Sequence, residues 1–233
     1  MNSDSTSQLP LGIRLNDEAT FANFLVSRGN KHLFDVLNGT PRSAQLIYLW
    51  GAKGSGRSHL LQALCHRYAE SGASTLYLPL TGRQDFAPQI LEHSRAMSVI
   101  CVDDLDAVAT DIVWQEAIFH CFNETAESNV FFVVAASCAP RDLLLSLADL
   151  LSRMQKSLIF QLHSADDGFK KQILQYRANL RGISLSDQVC DYILQRAERS
   201  LAGLIAVLER LDSESLQRQR RLTVPLVKDV MGW

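Results

Sequence analysis

Apolar positions along the chain gather into four short runs, at residues 46–50, 75–80, 99–102 and 130–136, each bounded by polar or turn-forming residues. Amphipathic segments of helix length separate them. A run that short, with no polar face, is what a strand covered on both sides looks like. Strands alternating with helices predict an α/β sandwich around a parallel sheet, with a fifth short strand at 157–162. Upstream, Phe21, Phe24, Leu25, Leu33, Phe34 and Leu37 have the spacing of a turn and a short helix, interrupted at Gly29-Asn30.

Beyond residue 163 the strands stop. Ser164-Ala165-Asp166-Asp167 offers a helix cap with acids in the first turn, and helices are predicted at 166–180, 186–196, 200–217 and 224–230. In the third of these, Leu201, Leu204, Ile205, Leu208 and Leu211 form one apolar stripe. The pattern divides the chain into a tail over residues 1–15, an α/β domain over 16–163 and a small all-helical domain over 164–233. The tail is polar and serine-rich before it turns apolar, and Pro10 and Gly12 break any helix in it.

Composition narrows the function classes. With 47% hydrophobic and 21% charged residues, the chain has the apolar mass for a core and does not read as disordered. The 23 Lys and Arg against 25 Asp and Glu leave a net charge of −2, so no overall positive field draws it onto nucleic acid. Residues 217–221 are the one basic cluster and read as a solvated helix end. No apolar run approaches the roughly 20 residues of a bilayer helix. The first residues lack the basic-then-apolar pattern of a secretion signal, so a cytoplasmic protein is expected. Cys65, Cys101, Cys121, Cys138 and Cys190 stand singly and read as reduced, buried thiols in preference to zinc ligands. His59 and His66 share a helix face with no partner carboxylate, which argues against a metal. Trp50, Trp114 and Trp233 read as packing residues, because no basic residues interleave them.

The most specific stretch is Gly51-Ala52-Lys53-Gly54-Ser55-Gly56-Arg57-Ser58, between the first predicted strand and a helix starting near His59. Glycines let a backbone wrap phosphate oxygens, successive N–H groups point inward, and the helix start adds partial positive charge. The plain alternative is a Gly-rich turn, but strand before and helix after are the context a phosphate loop requires. Candidate nucleotide-binding residues are Gly51, Gly54, Ser55, Gly56, Arg57, Ser58 and His59, with the Ser58 hydroxyl placed for Mg²⁺. Arg57 stands where such loops carry the lysine that reaches the outer phosphates, and its planar fork needs more room than an ammonium. About 45 residues on, the strand 99–102 ends in Asp103-Asp104. Asp103 is expected to hold Mg²⁺ through water, and Asp104 to stand where a carboxylate orients an attacking water.

Thr20-Phe21-Ala22-Asn23-Phe24, the phosphate loop, the Asp103-Asp104 strand, Ser152-Arg153 and the helical C-terminal part together resemble the nucleotide-binding core of the DnaA branch of AAA+ proteins, over residues 16–233. The resemblance implies a three-layer P-loop sandwich with a five-stranded parallel sheet and a helical lid, holding ADP or ATP with Mg²⁺ where the two meet. It also implies roles by position. Arg153 corresponds to an arginine finger acting in trans, Ser137 to the sensor 1 residue, and Ala202 to a sensor 2 position where the family has arginine; Arg199, nearly one turn away, is the nearest substitute. Gln8-Leu9-Pro10-Leu11-Gly12-Ile13 resembles the peptide by which replication proteins dock on the β sliding clamp, with Gln8, Leu9, Leu11 and Ile13 as contact residues. Within the branch these features resemble regulatory members that dock on the DNA-loaded clamp and stimulate hydrolysis of DnaA-bound ATP, preventing over-initiation. DnaA and the clamp are then the partners, DNA is met mainly through the clamp, and a homodimer is a further expected state. Turnover by the chain itself is expected to be weak. The alternatives are a self-sufficient AAA+ ATPase or helicase-loader-like remodelling protein, and an initiator fragment binding DNA through Arg218, Arg220 and Arg221.

Overall fold

In the computed structural model, which describes residues 15–39, 46–92, 94–126, 128, 130–198, 200–218 and 221–233, the apolar runs become β1 (Leu46–Trp50), β2 (Thr75–Pro79), β3 (Val99–Asp103), β4 (Phe131–Ala136) and β5 (Leu158–Gln161). They form one parallel sheet in the order β2-β3-β4-β1-β5. β1 lies between β4 and β5, with Tyr48 in register with Val134 on one side and Ile159 on the other. β5 is an edge strand, and its Leu158 and Ile159 are exposed.

The two-residue period of the strands sends alternate side chains into two separate cores. Ile47, Leu49, Val99, Cys101, Val133 and Ala135 pack against Leu33 and Leu37 of α1 (Lys31–Asn38) and Leu60, Leu61 and Leu64 of α2 (Arg57–Glu70). Tyr48, Ile100, Val102, Phe132 and Val134 face the other way. They meet Trp114 and Ile118 of α3 (Ile112–Thr125) and Leu150 and Met154 of α4 (Ala148–Gln155). Helix layers therefore cover both faces of the sheet.

A third core belongs to α5 (Asp167–Leu180), α6 (Asp187–Arg196), α7 (Leu201–Arg218) and α8 (Val224–Met231), around Leu174, Cys190, Ile193, Leu204, Leu208, Leu211 and Val227. Two details differ from the pattern reading. Asp166, not Ser164, caps α5, its carboxylate accepting from the Phe169 N–H at 2.7 Å. On α7 the stripe is rotated: Val207 joins Leu204, Leu208 and Leu211 in the core, whereas Leu201 and Ile205 turn toward a cleft between the helical part and the α/β part.

Four of the five cysteines are buried and Cys138 is half-buried. Burial pushes the Cys121 and Cys190 thiols up to about 11, so both stay protonated and apolar in behaviour. Among the described residues no group of three His, Cys, Asp or Glu side chains is arranged to hold a metal ion. Trp114 is buried, and Trp50 and Trp233 pack against the second and third cores described above.

Candidate nucleotide site

The site begins where β1 runs out of the sheet. Gly51 follows Trp50 so closely against the neighbouring chain that a Cβ there would sit 2.5 Å from the Leu162 carbonyl oxygen, so only a hydrogen fits. At the far end of the loop Gly56 adopts φ +104°, and a Cβ would meet the Phe24 ring at 2.9 Å. α2 then starts at Arg57 with no side-chain cap, which leaves its first N–H groups without partners inside the helix. Ser55 and Arg57 are 5% and 7% exposed, yet Ser55 Oγ and Arg57 Nη1 have no hydrogen-bond partner. Buried unpaired donors beside a helix start fit a phosphate group, whose oxygens supply the missing acceptors.

Loop, helix start and lid enclose a cleft of about 1160 Å³, lined from the loop by Lys53, Gly54, Ser55, Gly56, Arg57, Ser58 and His59. That volume exceeds the ~300–1,000 Å³ of ordinary small-molecule pockets, as expected of a cleft open on one side. The N-terminal segment lines it with Asn16, Ala19, Phe24 and Leu25, and the lid with Phe169, Ile173, Leu201, Ala202 and Ile205. His59 does not point its ring at the phosphate end. Its Nε2 meets the Thr20 carbonyl at 2.8 Å and its ring lies 5.5 Å from that of Phe24, so it ties the N-terminal segment to α2. Burial pushes its pKa below the usual histidine value, with the Thr20 bond opposing.

Behind the loop stands the acidic end of β3. Asp103 is 1% exposed and accepts from the Tyr77 hydroxyl at 2.9 Å and from the Asp104 N–H at 3.0 Å. Asp104 follows in a left-handed backbone conformation, φ 54° and ψ 52°, the one described non-glycine residue with positive φ. Burial, and next the charge of Asp103, raise the Asp104 pKa, while the neighbouring Arg57 lowers it. Arg57 donates from Nη2 to Asp104 Oδ1 at 2.9 Å, so the loop arginine expected to reach phosphates has one arm on a carboxylate. Ser137 is engaged as well: its N–H and Oγ–H donate to Asp106 at 2.9 and 2.8 Å.

Three contributors escaped sequence reasoning. Lys53 is exposed on the cleft wall, Tyr77 braces Asp103, and Asp106 holds Ser137. Asp106 carried a signal, two residues past the Asp103-Asp104 pair, and so did Lys53, by its place inside the phosphate loop; Tyr77 carried none. Arg153 stands apart from the cleft. It lies exposed on α4, with its guanidinium carbon 5.6 Å from the Phe122 ring centroid and a 3.5 Å contact to Asn123 Oδ1. Ala202 lines the cleft among Leu201, Ile205 and Ala206, so α7 presents an apolar surface there. The expectations on Gln8, Leu9, Leu11, Ile13 and Arg199 lie outside the described residues.

Comparison with known families decides the kinship. The family model of the bacterial DnaA ATPase domain matches residues 15–161, and that of the Hda lid domain matches residues 167–231. The chain belongs to the bacterial DnaA ATPase-domain family. Within that family its lid is of the Hda kind. Domain III of the replication initiation protein DnaA from Thermotoga maritima superposes with a TM-score of 0.77 at 20% identity, covering 94% of this chain and 98% of that one. AMPPCP-bound DnaA from Aquifex aeolicus gives 0.70 at 22% identity over 88% of this chain and 69% of its own. A point variant of RuvB from Thermotoga maritima gives 0.65 at 16% identity, over 91% and 73%. This DnaA-family chain therefore has the AAA+ fold, with a parallel five-stranded sheet and a C-terminal helical lid.

Proposed function

We propose that this DnaA-family protein regulates replication initiation by binding an adenine nucleotide, ADP in its working state, and stimulating in trans the hydrolysis of ATP held by DnaA. The observation that carries the reading is Arg153: an exposed arginine on α4, absent from the lining of its own cleft and held among the described residues by the Phe122 ring beneath its guanidinium and one long contact. A guanidinium so placed is presented to a second molecule, where neutralising charge at a transferring phosphoryl group is worth about 10³–10⁵ in rate. The Hda-type lid over residues 167–231 supports the same reading.

In the chain's own site, Gly51, Gly54, Ser55 and Gly56 and the start of α2 would cradle the phosphates, and Ser58 and Asp103 would hold Mg²⁺. The ion would supply charge neutralisation at the phosphates. The protein's contribution is orientation. Tyr77 fixes the Asp103 carboxylate, and the walls from Phe24, Leu25 and Ile173 exclude water from the base. The tail peptide Gln8, Leu9, Leu11 and Ile13 docks on the β sliding clamp in this reading, raising the local concentration of Arg153 near DnaA on DNA. The reading places this action in the cytoplasm, where replicating DNA is. No described helix is long and apolar enough to cross a membrane.

The test is ATP hydrolysis by DnaA in the presence of clamp loaded on DNA, with wild-type chain and with Arg153→Ala. The variant is expected to bring hydrolysis down to the unstimulated rate while keeping its own nucleotide. Stimulation equal to wild type refutes the finger. Deleting residues 1–13 is expected to abolish clamp binding and spare nucleotide binding; the reverse pattern refutes the tail assignment.

A further inference from the structure

The Arg57–Asp104 contact joins the two positions that a hydrolysing site would keep apart. Hydrolysis forms a bond from a water oxygen to the terminal phosphorus and breaks the bridging P–O bond, and a carboxylate oriented toward that water takes its proton. Asp104 lines the cleft beside the phosphate loop, at the position expected to orient the water, whereas Asp103 is held by Tyr77 and a backbone N–H and Asp106 by Ser137. Arg57 meets Asp104 at 2.9 Å with side chains 8% and 24% exposed, so the pair is poorly screened by solvent. The same guanidinium keeps Nη1 buried and unpaired at the cleft. A planar fork can do both at once, one arm on a carboxylate and the other left for an oxygen of a ligand. An ammonium, with its donors on a single nitrogen, cannot span them in the same way.

We infer that Arg57 is a latch on Asp104: it binds phosphate with one arm while the other withholds the carboxylate from water, so the chain retains nucleotide without consuming it. This deepens the proposed reading and rests on the cleft being a nucleotide site. The surroundings favour a diphosphate. On α7 the lid offers Ala202 in place of a cation, its cleft-lining Arg177 is paired with Glu18, the Ser137 hydroxyl is spent on Asp106, and Lys53 is the remaining described loop cation on the cleft wall. Arg57 acts as a positioning residue through Asp104. Backbone strain at Asp104 accords with a carboxylate held in place by its surroundings.

The test uses the full chain without DnaA and measures ATP turnover and affinity for a fluorescent ADP analogue. Arg57→Lys is expected to raise turnover by about tenfold or more, as a released general base does, with affinity for the ADP analogue measured alongside to establish that the site is loaded. A second substitution, Asp104→Asn, added to Arg57→Lys, is expected to erase the gain. Turnover unchanged in a nucleotide-binding Arg57→Lys protein overturns the latch and leaves the nucleotide reading standing. Failure of wild type to bind the ADP analogue overturns both. A separate readout needs no nucleotide: Arg57→Ala, Asp104→Ala and the double variant in urea denaturation. The coupling expected is more than about fivefold in the unfolding equilibrium, and additive effects overturn the latch whatever the turnover.

Discussion

Glu18→Gln is the substitution that reports most directly on how the lid is held. Glu18 lies on the N-terminal segment and receives Arg177 and Arg181 of the α5 end, with Arg181 Nη2 at 2.6 Å from Oε1 and Arg177 Nη2 paired to Oε2. Tyr176 adds a hydroxyl bond to the Ala22 carbonyl at 2.6 Å. The two arginine side chains are 8% and 14% exposed and the glutamate 42%. Breaking a fully buried pair costs about 3–5 kcal/mol, and an exposed pair is worth about 0–1 kcal/mol. One half-exposed carboxylate serving two buried guanidiniums falls between, at about 1.5–3 kcal/mol. Because the chain has separate cores, local opening of α5 carries the signal better than a global midpoint. Amide hydrogen exchange over residues 167–180 should speed up by about 10- to 150-fold at neutral pH. The hydrogen bond from Arg181, and then the Arg181 and Arg177 charges, hold the Glu18 carboxyl below its usual value of 4.5 against the opposing effect of burial. A carboxylate depressed in the folded state stabilises above its unfolded pKa and loses that contribution as pH falls through the folded one. The difference between wild type and Glu18→Gln should therefore be constant above about pH 5 and shrink as pH falls below 4.5. An exchange rate within about threefold of wild type at neutral pH would refute this account of how the lid is held.

Other outcomes follow from the same geometry. Gly51→Ala drives a Cβ into the Leu162 carbonyl; it should cost about 2–3 kcal/mol in urea denaturation and abolish nucleotide binding, and a neutral result would mean the loop relaxes away from β5. Asn30, 4% exposed, donates to the His163 carbonyl at 3.0 Å and accepts the His163 N–H at 2.9 Å. Asn30→Ala should cost about 2 kcal/mol in the same assay, and Asn30→Asp at least as much, because its second oxygen would face the His163 carbonyl where the amide donated. His59 is held neutral, so the unfolded chain takes up its proton first. Its stabilising contribution is constant above the usual value of 6.5 and declines as pH falls toward its lower folded value. His59→Gln should flatten that decline in thermal melts between about pH 7 and 5, and an unchanged slope would count against the burial argument.

Much of the fold was legible along the chain because it is encoded by local pattern. Four doubly apolar runs of about five residues admit few structures other than covered parallel strands, and the predicted ranges lie within a residue or two of β1 to β5. The helices of the lid follow from a period of 3.6, but the side chain that caps α5 is Asp166 and not Ser164, a choice the run of polar residues leaves open. The phosphate loop was legible too, since glycine spacing between strand and helix reports backbone geometry directly. What a side chain meets across the fold is another matter. Whether Leu201 and Ile205 join the core or the cleft depends on the rotation of α7 against its neighbours, which a stripe of identical hydrophobicity does not specify.

Residue identity alone determined that this chain has a strand-loop-helix able to cradle phosphates, two carboxylates at the end of a neighbouring strand, and an arginine shortly before the last strand. Tertiary structure decided their allegiances. Arg57 and Asp104 are 47 positions apart, Asn30 and His163 are 133 apart, and Glu18 and Arg177 are 159 apart. Each pairing comes about only when the parallel crossovers bring strand ends to one edge of the sheet and the lid folds back over it. A charged group pairs with whichever opposite charge burial leaves within reach, and reach is a property of the packed molecule that adjacent residues do not record.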